Sequence, residues 1–439
     1  MAALLIRGGM VLDPSRGIKQ TADILLDEGK IVCLNDYSAD AGRQMRDELA
    51  RRPGCPEFDA SGKTVTPGLF DMHVHFREPG MEGEETIASG AAAAVAGGFT
   101  SVVCMPNTEP PLDSEAHMNF VLREAKALGL AEVYPAGAIT AGRQSEALAE
   151  MANMKRGGAV AFSDDGRSVA SAALLRQALS YSKMLDLPVL EHCEEPTLAA
   201  GGVMNESYVS TVLGLPGIPA EAEEIIVSRD VHLAKLTGAR LHIQHVSTRG
   251  SIDIVRRAKA AGLRVSAEVT PHHLLLDEEN LRTYNSVYKV NPPLRARADV
   301  DACVAALADG TLDVIASDHA PHLREEKEAE MALAPFGLLG LETSFSSLYT
   351  HLVKTGRVQL ETVVKAMTVA PARVLGLPRG TLAPGAVANL TVWDLDKEWT
   401  VDPAAFQSKS DNCPWNGQKL FARPAAVFVA GENVLAKLA

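Results

Sequence analysis

Cysteine is scarce in this sequence, and its placement excludes two kinds of site. The 439 residues contain six cysteines, which stand far apart without a CxxC pair. A disulfide framework needs paired, regularly spaced cysteines, and a cysteine-based zinc site needs closely spaced ones. We therefore expect neither at the following positions: Cys33, Cys55, Cys104, Cys193, Cys303 and Cys413.

The sequence also has no excess of basic over acidic residues. The chain has 42 Lys and Arg against 55 Asp and Glu, which gives a formal net charge of −13 with neutral histidines. Binding to nucleic acid or to anionic membranes relies on clustered Lys and Arg, so general binding to such polyanions is not expected. A small anionic substrate remains compatible with this charge if a few cations lie at its site.

No segment has the pattern of a membrane span or a signal peptide. The longest uncharged stretch, Thr86 to Thr108, is long enough to cross a bilayer. It contains an Ala-rich run, then Gly97-Gly98, then a β-branched run before Pro106, which together predict helix, turn and strand. Residues 1–6 meet Arg7 too early to form the apolar core of a signal peptide. We therefore expect a cytoplasmic protein.

Short alternating apolar runs at both ends of the chain predict a small β module. They occupy residues 1–58 and return in residues 379–439, and chain ends often lie close together in space. The length alone would allow two to four domains, but α/β barrels form longer single units. We predict one composite antiparallel β module around a long central domain.

The central segment, residues 59–378, alternates β-branched runs with stretches of helical period. Eight alternating strands and helices predict parallel pairing and a (β/α)8 TIM-type barrel, with an open doubly wound sheet as the structural alternative. The candidate helices include 114–128, 168–185, 221–236 and 251–261. The candidate strands end near His75, Met105, Ile139, Asp165, His192, His245, Pro271 and Asp318.

Metal-ligand residues recur at these strand ends. His73 and His75 stand at the end of an apolar strand predicted over Thr64–Phe70, and residues two apart on a strand point to one face. An HxH pair alone arises easily by chance. In a barrel, however, the carboxyl ends of all strands meet at the active face. Four further residues of this type stand at such ends: Asp165, His192, His245 and Asp318.

Four imidazoles and two carboxylates exceed the ligand set of one catalytic zinc ion, which uses three protein ligands and an open position. They suit two metal ions with a bridging group. Nitrogen and oxygen ligands without thiolate favour zinc, with manganese, cobalt or iron as alternatives.

Three motifs resemble a known family. The run Asp71–Gly80 reads DMHVHFREPG, residues 105–108 read MPNT, and residues 317–322 read SDHAPH. Together they resemble the class I, bacterial type of the dihydroorotases, which are members of the amidohydrolase superfamily. The HFREPG string is specific within that superfamily, whereas HxH is common to all of it. The resemblance covers nearly the whole chain.

The resemblance implies a binuclear zinc site that binds two Zn2+ ions per subunit. His73 and His75 would bind the first ion together with Asp318, His192 and His245 would bind the second, and Asp165 would bridge both. The choice of Asp165 over Asp164 rests on the resemblance alone. Many relatives bridge their metals with a carboxylated lysine from strand four, and this sequence has no lysine there. That departure fits class I dihydroorotases and counts against hydantoinases.

The resemblance also implies a reaction in de novo pyrimidine (UMP) biosynthesis. Dihydroorotases reversibly cyclise N-carbamoyl-L-aspartate to L-dihydroorotate plus water, using a metal-bridged hydroxide and an Asp general acid and base, here Asp318. Arg77 would bind a substrate carboxylate. Its alternative is a surface ion pair with Glu78 or Glu82. Further substrate contacts would come from Asn107, Asn291, His322 and the backbone of Phe336 and Gly337.

Two other readings compete with this one. Allantoinase or dihydropyrimidinase (hydantoinase) activity would need no carboxylate-binding arginine. A non-catalytic dihydroorotase-like subunit that scaffolds aspartate transcarbamoylase would be expected to have lost metal ligands, whereas all six positions keep them. Association of an active chain with that enzyme, and homo-oligomer formation, are compatible with the sequence. The charged run 324–330 is interpreted as a solvated face, and a lid over the site is the alternative role for the loop 322–337.

Overall fold

A computed structural model describes residues 3–438 and contains an eight-stranded parallel barrel. Its strands follow one another in chain order around the sheet, and a parallel bridge between Val74 and His319 joins the two outermost strands. Each of the eight strands ends within three residues of the predicted position, which confirms the barrel. The strands are Leu69–Val74, Phe99–Cys104, Glu132–Gly137, Ala161–Phe162, Val189–Glu191, Leu241–Ile243, Val265–Val269 and Val314–Ile315.

Helices cover the outside of this barrel, and several begin at capping side chains. Ser114, Ser171 and Thr248 each accept a hydrogen bond from a backbone N–H in the first turn, which satisfies a group that the helix itself leaves unpaired. The main helices are Ile87–Ala96, Glu115–Leu128, Met151–Arg156, Ala172–Met184, Glu221–Thr237, Arg249–Ala260, Arg297–Asp309, Ser344–Leu348, Leu360–Ala366 and Val369–Leu375.

Shorter helices and strands lie in the loops at the barrel mouth. Four short helices are Pro196–Ala199, Tyr208–Leu213, Pro271–Leu275 and Arg324–Lys327. Two small strand pairs join Met204–Asn205 to Gly217–Ile218 and Trp399–Thr400 to Lys419–Leu420. Within residues 3–438, no helix has the length and apolar character to cross a membrane.

A second sheet joins the two ends of the chain, as predicted. Its strands are Leu4–Asp13, Ile18–Asp27, Lys30–Asn35, Glu57–Asp59, Thr64–Pro67, Leu390–Asp394, Arg423–Val429 and Glu432–Asn433. The prediction of an antiparallel module is wrong in part: the sheet is mixed, because the first strand pairs parallel with Glu57–Asp59 and Thr64–Pro67. A helix that the sequence analysis did not predict, Ala39–Ala50, follows the third strand.

The prediction of one strand over Thr64–Phe70 is wrong. The chain changes sheets at Gly68: Thr64–Pro67 pairs in the terminal sheet, and Leu69–Val74 begins the barrel. A β-carbon at Gly68 would stand 2.2 Å from the side chain of Thr100, so glycine permits the close approach of the two elements. The boundaries of the three segments, 1–58, 59–378 and 379–439, remain a prediction.

Trp393 joins the terminal sheet to the barrel. Its side chain is fully buried, its ring stacks on Phe345 with centroids 3.9 Å apart, and its indole N–H donates to Thr66 Oγ1 over 3.1 Å. A buried indole contributes much apolar area and also needs a partner for its N–H. The terminal sheet and the barrel therefore share one hydrophobic core at this point.

Residues 407–412 lie against the mouth of the barrel. Ser408 Oγ donates to Glu85 Oε2, and Ser410 Oγ donates to the carbonyl of Glu84 over 2.8 Å. The amide of Asn412 donates to the carbonyls of Ala320 and Gly337 over 3.1 and 3.2 Å. The segment thus connects the loops that follow the first and last barrel strands.

Glu342 predicts a pH-dependent stability. Burial raises its pKa to about 8, against hydrogen bonds from the N–H groups of Ser408 and Gln407. A raised carboxyl pKa gives stability that is complete below the unfolded pKa, near 4.5, and is lost as pH rises to about 8. Glu342→Gln should therefore raise Tm relative to the parent more at about pH 9 than at about pH 6, as thermal unfolding would measure. The exposed Glu361→Gln is the control, and an equal effect at both pH values would contradict the expectation.

Candidate active site

The predicted metal ligands converge at the carboxyl ends of the barrel strands. Asp165 lies at their centre: its Oδ1 is 3.3 Å from His73 Nε2, and its Oδ2 is 3.5 Å from His75 Nε2. Asp318 stands on the same side, with Oδ1 2.9 Å from His75 Nε2 and 3.5 Å from His73 Nε2. These four residues form the first half of the cluster.

Two histidines form the other half. His192 Nδ1 and His245 Nε2 lie 3.8 and 3.7 Å from Asp165 Oδ1, and 2.9 Å from each other. All six side chains are buried. Asp165 therefore belongs to two potential ligand groups at once, one with His73 and His75 and one with His192 and His245.

The donor set fits divalent metal ions. Zinc takes imidazole nitrogen and carboxylate oxygen at about 2.0–2.1 Å, so that ligand atoms in a tetrahedron stand roughly 3.3 Å apart. The distances from Asp165 to His73 and His75, 3.3 and 3.5 Å, are near this value. Moreover, His73 Nε2 and Asp165 Oδ1 are buried without a hydrogen-bond partner in the described chain. Such orphaned polar atoms are costly unless a further group binds them.

Charge also favours a cation at this point. Burial alone would raise the pKa of Asp165, but the surrounding imidazoles, His73 first, hold it well below its usual range. The same holds for Asp318, whose pKa is also strongly lowered. Both carboxylates are therefore ionised, as ligands of a divalent ion must be.

Three residues of the site have a left-handed backbone. Their φ angles are 60° at Arg77, 31° at His245 and 48° at Asp318. Side chains other than glycine rarely adopt this conformation, and it concentrates at functional sites where the surrounding structure holds it. Each of the three follows the end of a barrel strand.

Glu268 orients the ligand His73. Its Oε1 lies 2.7 Å from His73 Nδ1 and its Oε2 lies 3.0 Å from His242 Nε2. Burial opposes ionisation, but the charge of His73 and the bonds from both histidines lower the pKa of Glu268 to about 2. A carboxylate on Nδ1 fixes the proton there and leaves Nε2 free to bind a metal.

The loop after strand four brings Asp165 into the centre. Asp164 points away and accepts hydrogen bonds from the N–H groups of Ile139 and Thr140, over 2.9 and 3.1 Å. Ser163 Oγ accepts the N–H of Asp165 over 3.0 Å, and Arg143 Nη2 donates to the carbonyls of Asp164 and Asp165. Strand periodicity left the choice between Asp164 and Asp165 open, and these contacts show how the backbone separates them.

A cavity of about 190 Å³ opens above the cluster. Of the sequence-predicted site residues, all but His73 line it, and His73 lies fully buried beneath. The residues predicted to contact substrate are therefore together on one wall of the cavity: Arg77, Asn107, Asn291, His322, Phe336 and Gly337.

Arg77 is a buried cation of this cavity, and it does not form the surface ion pair with Glu78 or Glu82 that was the alternative from the sequence. Its Nε donates to the carbonyl of Pro321 and lies 3.1 Å from Glu84 Oε2, whereas neither Glu78 nor Glu82 pairs with it. Burial opposes the charge of Glu84, but its bond to His322 and the charge of Arg77 keep its pKa below the usual range. Glu84 thus neutralises only the Nε side of the guanidinium.

Two asparagines and a backbone segment complete the cavity. Asn107 Oδ1 accepts the Nδ1–H of His75 over 2.8 Å, which orients that ring and leaves the amide N–H groups of Asn107 for a ligand. Asn291 Oδ1 is buried without a partner in residues 3–438. The carbonyl of Phe336 lies 2.8 Å from His322 Nε2. The cavity therefore presents a cation and several amide groups beside the metal ligands.

The residues that hold the metal ligands and Arg77 in position were not predicted from the sequence. Glu268 stands inside the apolar strand Val265–Val269, and an acidic residue in such a strand is a signal that was available. Arg143 ends the short 3-10 helix Ala141–Arg143, and Glu84 lies in a turn; nothing in their local sequence indicates what they contact. Their roles follow from partners far along the chain.

Comparison with known proteins gives consistent matches. Residues 64–434 match the Amidohydrolase family. The chain is 52% identical over 436 residues to a dihydroorotase from Pelotomaculum thermopropionicum, covering 98% of both chains. It is 48% identical over 431 residues to a dihydroorotase from Citrifermentans bemidjiense, covering 98% of this chain and 99% of the relative.

Among solved structures, the chain is similar to the L-hydantoinase (dihydropyrimidinase) of Arthrobacter aurescens. The TM-score is 0.85 at 26% identity, with 99% of this chain and 96% of the other covered. The dihydropyrimidinase of Brevibacillus agri aligns with a TM-score of 0.82 at 23% identity, covering 99% and 95%, and that match shows the fold alone.

Glu268→Gln should weaken metal binding. The amide keeps the shape of the carboxylate but removes the charge that holds the Nδ1 proton of His73, so we expect metal affinity to fall about 10- to 100-fold. Competition with a chromogenic chelator would measure it. Glu278→Gln is the matched control, because Glu278 is also buried but bonds to Asn205. Equal affinities of the parent and Glu268→Gln would contradict the role of Glu268.

Proposed function

Because the chain belongs to the amidohydrolase family, we propose that it works within that family as a dihydroorotase. It reversibly cyclises N-carbamoyl-L-aspartate to L-dihydroorotate and water, a step of pyrimidine biosynthesis. The observation that carries the proposal is the buried Arg77, which lines the same cavity as the metal-ligand cluster. High identity to curated dihydroorotases over 98% of the chain supports it.

The six ligands would hold two zinc ions. His73, His75 and Asp318 would bind one, His192 and His245 the other, and Asp165 both. When bound, such ions lower the pKa of water to about 7 and polarise a carbonyl group. The number of ions and the choice of zinc are part of the proposal. They are supported by the two ligand groups that share Asp165 and by the absence of thiolate near them.

Asp318 moves the proton. It keeps 11% of its side chain accessible to the cavity while Oδ1 faces His75. In ring opening, its carboxylate accepts a proton from the attacking water and delivers it to the departing amide nitrogen. In ring closure the same carboxylate takes a proton from the attacking nitrogen and gives it to the departing oxygen. That oxygen takes one further proton from solvent to leave as water, because the reacting carboxylate of the substrate carries none. Asp318 thus begins each direction as the base and is regenerated in its ionised form.

Arg77 and the amide groups orient the substrate. The guanidinium edge that Glu84 does not neutralise offers paired N–H donors to the substrate carboxylate. Asn107, Asn291, His322 and the backbone at Phe336 and Gly337 would bind the remaining polar atoms of the ring. Binding at several points holds the reacting carbonyl beside the metal ligands, which lowers the entropic part of the barrier.

Hydantoinase or dihydropyrimidinase activity is the nearest alternative, since the similar solved structures carry those names. Two observations count against it. A neutral hydantoin ring has no carboxylate for Arg77, and an aspartate rather than a lysine lies between the two ligand groups. Homo-oligomer formation and association with aspartate transcarbamoylase remain predictions from the sequence.

The test is a comparison of substrates on one preparation of the protein. Ring opening of L-dihydroorotate should exceed that of dihydrouracil and of allantoin, and chelation should abolish it. Metal analysis before chelation should give about two ions per chain. Preference for dihydrouracil or allantoin would overturn the choice of substrate, and a metal-free, inactive chain would favour the scaffolding role.

Asp318→Asn should lower turnover by about 100-fold or more, because general acid and base catalysis contributes on the order of 10²- to 10⁴-fold. Steady-state assay in both directions would measure it, and metal analysis would separate a lost ligand from a lost proton acceptor. Asp313→Asn, at the other end of the same strand, is the matched control. Near-normal turnover of Asp318→Asn would refute the proton-transfer role.

A further inference from the structure

Two buried lysines lie beneath the loop that carries Phe336 and Gly337. Lys327 keeps only 8% of its surface exposed and Lys289 only 3%, although Lys327 belongs to the charged run that the sequence indicated as a solvated face. Across residues 3–438, neither forms an ion pair with a carboxylate. Both ammonium groups instead donate to backbone carbonyls of this loop.

The contacts of Lys327 flank the cavity. Its Nζ donates to the carbonyl of Pro335 over 2.8 Å and to that of Gly337 over 2.9 Å. These carbonyls belong to the residues on either side of Phe336, whose own carbonyl faces His322. One ammonium therefore fixes the short backbone segment that lines the cavity.

Lys289 holds the earlier part of the loop. Its Nζ donates to the carbonyl of Met331 over 2.7 Å and lies 4.7 Å from the centre of the Phe336 ring. Its own carbonyl accepts the N–H of Gly337 over 2.9 Å. Gly337 has φ +138°, and a β-carbon there would stand 2.7 Å from the Ala320 side chain. The loop conformation is thus held by specific contacts and is sterically demanding.

We propose that Lys327 is a positioning residue for substrate binding, holding the backbone of residues 335–337 in the shape that contacts the substrate. The inference rests on the proposed function and deepens it. Lys327 does not touch the reacting atoms, so its effect belongs to substrate affinity rather than to the chemical step.

The free-energy cost of burying Lys327 distinguishes this positioning role from a purely structural one. Burial, with the nearby charge of Lys289, lowers the pKa of Lys327 to about 7. A buried cation without a carboxylate partner costs free energy, and an apolar side chain of similar size is often neutral or stabilising in its place. A lysine that shapes a binding loop is therefore retained at the expense of stability.

The test compares Lys327→Met with Arg324→Met, which removes an exposed cation from the same short helix. Lys327→Met should raise KM for L-dihydroorotate about tenfold with little change in kcat. Its Tm should be unchanged or higher, and its metal content equal to the parent. A fall in kcat at unchanged KM, or a lower Tm with normal KM, would overturn the proposal, as would an Arg324→Met variant with the same KM defect.

Hydrogen exchange gives a readout that does not depend on the substrate. The peptide containing Phe336 and Gly337 should exchange faster in Lys327→Met than in the parent or in Arg324→Met. Unchanged exchange would overturn the inference even if the parent is an active dihydroorotase. Faster exchange in a protein that does not open dihydroorotate would support the loop role while the proposed function fails.

Discussion

Uncompensated ligand atoms around Asp165 are the constraint on which the rest of the site depends. Imidazole nitrogens and carboxylate oxygens from five strand ends meet there, those of each ligand group lying within 4.8 Å of one another, and all of the side chains are buried. Such a cluster costs free energy unless divalent cations bind it or protein groups hold it. The surrounding residues can be understood as meeting that requirement.

Support for the cluster comes in layers. Glu268 fixes one ligand ring, Asn107 fixes another, and Arg143 holds the backbone that delivers Asp165. Farther out, Glu84 neutralises part of Arg77, so that a cation can remain buried beside the cluster without excess positive charge. The barrel thereby holds both signs of charge within one small cavity, which an anionic substrate and metal ions require.

The parts of this structure that follow from local pattern were predictable from the sequence. Strand ends and the parallel barrel depend on periodicity and on residue type, and they were confirmed; the residues predicted as ligands lie together at those strand ends. The switch of sheets at Gly68 was not predictable, because its cause is the proximity of Thr100. Likewise, the burial of Lys327 and the pairing of Arg77 with Glu84 depend on loops that local sequence does not describe. The individual roles of the ligands still rest on resemblance and geometry.

The contacts of the segment 407–412 determine when the active site is completed during synthesis of the chain. Its hydrogen bonds tie the loop after the first barrel strand to the loop after the last, and one of them holds Gly337. During synthesis on the ribosome, all eight barrel strands leave the exit tunnel before this segment does. Consequently, a nascent chain with a complete barrel still lacks one support of its cavity until residues 407–412 have also been synthesised and have packed against it.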